Sequence, residues 1–78
     1  MERVTVFLRT ALFSYGNAQA HVPAGVMVLE GAVVDRPHGG LTVQTSRLLD
    51  QQGRDQGEVE LVLHLPWAKV DHLLVHEG

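Results

Sequence analysis

Five histidines, His21, His38, His64, His72 and His76, are the most versatile side chains in a chain of 78 residues that has no cysteine. His72 and His76 stand four apart, the spacing that on a helix aims two imidazoles at one metal ion. On a strand the same spacing keeps them on one face but roughly 13 Å apart, at about 3.3 Å per residue, too far to share an ion. Ala68 to Val75 reads as a strand, so no intrachain metal site and no cofactor are expected. A symmetry axis that gathers copies of one histidine stays open as an alternative. Asp71 beside His72 suggests an acid–base dyad, but neighbours on a strand point to opposite faces, so Asp71 is not expected to orient His72. Ser14 and Ser46 lack the strained Gly-x-Ser-x-Gly turn of an activated nucleophile. Gly39-Gly40 leads into a strand, not the helix N-terminus that a phosphate cradle needs. Nothing here is equipped for catalysis, and the reading is a protein that is not an enzyme.

Binding chemistry is better supplied. Trp67 follows Pro66 and precedes Lys69 by two, an aromatic beside a cation of the kind that stacks on bases or holds peptides. A core or subunit-interface tryptophan is the competing reading. Asp35-Arg36-Pro37-His38-Gly39-Gly40 is a dense run of turn formers. Asp35, Arg36, His38 and Gly39, with Trp67 and Lys69, are therefore the candidate binding residues. Arg36 and Arg47 flank one hairpin, where a shared basic patch and separate solvated strand ends are equally good readings. Six basic against nine acidic residues give a net charge of −3, which disfavours a general phosphate-binding surface. Any nucleic-acid binding has to come from a local site.

The elements that must position these residues read as strands. Val4, Val6 and Leu8 alternate within a strand over 3–13. Residues 14–17 form a turn, and 18–22 a short return strand that ends at Pro23-Ala24-Gly25. Val26 to Val34 is apolar on both faces, as in a strand buried on two sides, in a bent barrel or between subunits. Gly31 in its middle marks a bend or bulge. Leu41 to Arg47 alternates as a half-exposed antiparallel strand. The polar run 50–57 reads as a flexible loop. Glu58 to Leu65 points Val59, Leu61, Leu63 and Leu65 one way and Glu58, Glu60, Val62 and His64 the other. Pro66 must end or bend that strand, and 68–75 supplies the last. These short strands make one all-β domain over 1–78: a strongly bent antiparallel SH3-like barrel of five, or six, strands. Hydrophobic residues are 45% of so short a chain, more than a small core absorbs, so a homo-oligomer is expected. No apolar run reaches the 18–20 or so residues of a membrane helix. Residues 1–4 lack signal-peptide character, so a cytoplasmic protein without a membrane role is expected.

A bent strand with a central glycine, a loop opening on Asp, a strand, a polar loop and two closely joined strands: this order resembles the Sm-like family. Gly31 and Asp35 match the glycine and aspartate of the family's first motif. Gly39 or Gly40 stands where the family has a base-contacting Asn. Leu65-Pro66-Trp67-Ala68-Lys69-Val70 occupies the second motif without its Arg-Gly or Lys-His pair. The resemblance implies a small barrel that assembles into rings through edge strands and binds single-stranded RNA at the pore. A protein–protein or structural subunit is the alternative, and a histidine-based ligand or metal protein a third.

Overall fold

Alternating apolar and polar residues, rich in valine, build five strands among the described residues. They are β1 (Glu2–Leu8), β2 (Val26–Asp35), β3 (Gly40–Asp50), β4 (Asp55–Pro66) and β5 (Val70–His76), with a 3-10 turn at Trp67–Lys69 between the last two. The computed structural model describes residues 2–13 and 22–76. The predicted turn at 14–17 and the return strand at 18–22, Val22 excepted, lie outside the described residues. Val22 itself is buried and takes part in a β-bridge.

All five strands belong to one antiparallel sheet in the order β4-β3-β2-β1-β5. The all-β expectation holds at five strands among the described residues. The sheet stays open, because β4 and β5 each keep one unpaired edge. Bending comes from register shifts, one of them between Glu30 and Gly31. A Cβ on Gly31 would lie 2.2 Å from the Gln44 carbonyl oxygen, so only glycine lets β2 and β3 approach this closely.

One face of the bent sheet makes the core. Val4, Val6, Leu29, Leu41, Val43 and Leu48 are buried there, with Val59, Leu61 and Leu63 of β4 packed against them. Fully burying one such side chain stabilises the fold by about 1.5–3 kcal/mol. The predicted β4 alternation is realised: Leu65 is buried, Val59, Leu61 and Leu63 are half-buried, and Glu58, Glu60, Val62 and His64 are exposed.

Three boundaries differ from expectation. β1 ends at Leu8, and the chain then turns so that the Leu12 N–H donates to the Val26 carbonyl at 2.9 Å, burying Leu12 outside any strand. The polar run at 50–57 is no long loop. The Asp50 carboxylate accepts the N–H groups of Gln52 (2.8 Å) and Arg54 (2.9 Å), which tightens the link to four residues. Finally, β5 starts at Val70, because Pro66 lacks the N–H to extend a ladder and Trp67–Lys69 coil into the 3-10 turn.

Candidate functional site

The turn between β2 and β3 and the 3-10 turn between β4 and β5 meet at one end of the sheet. Gly40 N–H donates to the Pro37 carbonyl at 3.1 Å, and Trp67 N–H donates to the Gly39 carbonyl at 3.1 Å. A Cβ on Gly40 would lie 2.1 Å from the Leu65 carbonyl oxygen, so glycine is what allows the contact. Between the turns lies a shallow, mostly apolar depression of about 260 Å³, walled by Pro37, Gly39, Leu41, His64, Leu65 and Pro66. Trp67 stands beside it, 43% exposed, so it is not the core tryptophan of the competing reading.

The six predicted binding residues divide between this end and other duties. Gly39 and Trp67 are joined directly, and His38 is exposed on the same turn. Asp35 Oδ1 accepts the Arg36 N–H at 2.9 Å and so shapes the turn. The Arg36 guanidinium pairs with Glu2 of β1. Lys69 does not stand over Trp67 as a stacking cation. Its Nζ donates to the Ala11 carbonyl at 2.7 Å and straps down the segment after β1. The shared Arg36–Arg47 patch does not form. Arg47 lies opposite Glu30 in mid-sheet, with carboxylate oxygens of Glu30 (3.9 Å), Asp55 (3.8 Å) and Glu58 (3.8 Å) around it.

Histidines of the edge strands are tied to hydroxyls that the sequence did not single out. His64 Nδ1 and Thr42 Oγ1 are 2.8 Å apart, and His76 Nε2 and Thr5 Oγ1 are 2.7 Å apart. The only advance signal was a threonine within a valine-rich strand, which is too common to point to a partner. His72 stacks on Phe7 with ring centroids 4.3 Å apart, and its Nδ1 lies 2.9 Å from Asp71 Oδ2. That contact corrects the expectation that Asp71 cannot reach His72. The β1–β5 register passes from Phe7↔His72 to Leu8↔Val70, so Asp71 is an extra, bulged residue and strict alternation fails there. Both groups are exposed, and Arg9 Nη1 sits 3.6 Å from Asp71 Oδ1. Among the described residues no three metal-ligating side chains gather, while His21 lies outside them.

A second, larger hollow of about 720 Å³ crosses the outer face and is lined by Arg3, Glu30, Ser46, Arg47, Glu58 and Glu60 among others. Its carboxylates outnumber its guanidiniums, which disfavours a phosphate ligand. The Ser46 hydroxyl donates to the Glu30 carbonyl at 3.2 Å. Comparison with protein-family models, characterised proteins and solved structures finds no significant match to this chain. No family is assigned.

Proposed function

We propose that this protein is a non-enzymatic, homo-oligomeric small β module, which associates through its sheet edges and offers the end carrying Trp67 to a binding partner. One observation carries the reading. Of the five large apolar side chains left exposed among the described residues, Val62 (53%), Leu74 (52%) and Val75 (47%) lie on β4 and β5, the two strands with an unpaired edge. An edge that is both apolar and unpaired is a template for another strand. Light scattering on the eluting peak of a gel-filtration column at tens of micromolar tests this. A multiple of the 8.6 kDa chain mass is expected, and a clean monomer overturns the proposal.

The partner at the Trp67 end is a protein segment in preference to single-stranded RNA. The depression there is apolar, Arg36 is neutralised by Glu2, Lys69 is committed to Ala11 and the net charge is −3. RNA affinity rests on cations left free for phosphates. Fluorescent U-rich and A-rich oligonucleotides at low salt are expected not to bind. Micromolar binding that Trp67→Ala abolishes would restore RNA as the partner.

A further inference from the structure

We propose that β4 pairs antiparallel with β4 of a second copy about a two-fold axis through Val62, making one continuous sheet across a dimer. The inference rests on the homo-oligomer reading and names its contact.

The Trp67 N–H bond to the Gly39 carbonyl lies in the same register as Leu65↔Leu41, Leu63↔Val43 and Leu61↔Thr45. Hydrogen-bonded pairs alternate along an antiparallel ladder. Leu61, Leu63 and Leu65 therefore turn their N–H and C=O groups toward β3, while Val62 and His64 turn theirs to the open edge, and the register shift between Leu61 and Glu58 lies just beyond them. Glu60, Val62 and His64 carry their side chains on the outer face.

The segment from Val59 to Leu65 then proves self-complementary. With Val62 opposite Val62 of the second copy, Glu60 faces His64 of the second copy and His64 faces its Glu60. On the core side Leu61 meets Leu63 of the second copy, and Val59 meets its Leu65. Every apolar residue faces an apolar one, and each carboxylate faces an imidazole. Cross-strand pairs of these kinds are the unit of sheet stabilisation. His64 is already oriented, because Thr42 Oγ1 lies 2.8 Å from its Nδ1, and Nε2 is the ring nitrogen left to meet the carboxylate. The apolar core face runs on from one copy into the other.

Joining β4 to β5 is less suited. Carrying the alternation through Ala32↔Gln44, Val4↔Gly31 and Thr5↔Leu74 gives the open-edge groups of β5 to Leu73 and Val75, whose side chains lie on the core side. An antiparallel β4–β5 contact would fuse the outer face of one copy to the core face of the next.

The chain has no cysteine, so single cysteines report contacts cleanly. Cα atoms of a hydrogen-bonded antiparallel pair stand about 5.5 Å apart, within disulfide reach. Val62→Cys alone is expected to give a disulfide dimer on non-reducing gels and nothing larger, while Leu74→Cys gives none. Glu60→Lys is expected to weaken dimerisation about tenfold, since two favourable pairs are lost. Glu60→Lys with His64→Glu should recover it. A monomer by light scattering defeats both this proposal and the homo-oligomer reading. An oligomer that Val62→Cys does not cross-link defeats this proposal alone. So does a ladder of higher multimers seen only with Val62→Cys plus Leu73→Cys, which would mean β4–β5 pairing and an open or ring-closed chain of copies.

Discussion

Two glycines with the same side chain have different obligations, and the difference is measurable. At Gly31 an added Cβ meets the Gln44 carbonyl at 2.2 Å, and a backbone oxygen within a sheet has little room to retreat. At Gly39 nothing lies within 4 Å of the same atom. Gly31→Ala is expected to destabilise the fold by about 2–3 kcal/mol, the scale of an overpacked core. Gly39→Ala should stay within roughly 0.5 kcal/mol of the parent. Urea unfolding followed by circular dichroism separates the two, and equal midpoints would mean the bulge at Gly31 relaxes freely. Gly31 was legible as a bend because glycine in an apolar strand has few other uses. The partners of the histidines were not legible, because a hydroxyl 22 or 71 residues away along the chain leaves no mark on local pattern.

Among the elements, the turn between β3 and β4 depends on one ionised group. The Arg54 N–H that the Asp50 carboxylate accepts holds its pKa below the usual value. Partial burial works the other way, and the Gln52 N–H, the Arg54 charge and the Gly53 N–H add to the lowering. A depressed folded-state pKa means stability that is present above the unfolded value, roughly 3.9, and is lost as pH falls through the folded one. Asp50→Ala should therefore lower the unfolding midpoint at pH 7, and the gap from the parent should close as pH drops below that value. A gap that persists unchanged at low pH would show that the carboxylate charge is not what holds the turn. The strap after β1 makes a second case. Lys69→Met removes the bond to the Ala11 carbonyl and is expected to cost about 1 kcal/mol. Hydrogen exchange should quicken at Leu12, whose N–H bonds Val26, while the centre of β3 keeps its protection.

For the whole molecule, association through an edge couples stability to concentration. Raising protein from ~1 to ~100 μM should raise Tm by about 5 °C or more if folded copies bind one another and unfolded ones do not. A Tm independent of concentration, read by differential scanning fluorimetry, would speak for a monomer. Much of the architecture could be read in advance. The alternations in β3 and β4, the two-sided apolar character of β2 and the stop at Pro66 are local properties of the chain. Which candidate residues would meet was only half legible. Gly39 and Trp67 come together across a hydrogen bond, whereas Lys69 and Arg36 are drawn off by Ala11 and Glu2, partners 58 and 34 residues away along the chain.

By itself the sequence determined that this protein is all-β, since side-chain alternation and turn residues act within a few positions. It also determined that apolar surface would be left over, which follows from composition and size. Only the tertiary structure decided where that surplus lies. Strand order places β4 and β5 at the two ends of an open sheet, and an edge exists only once all other pairings are made. The free backbone groups of β4, and the self-complementary side chains beside them, follow from that order alone.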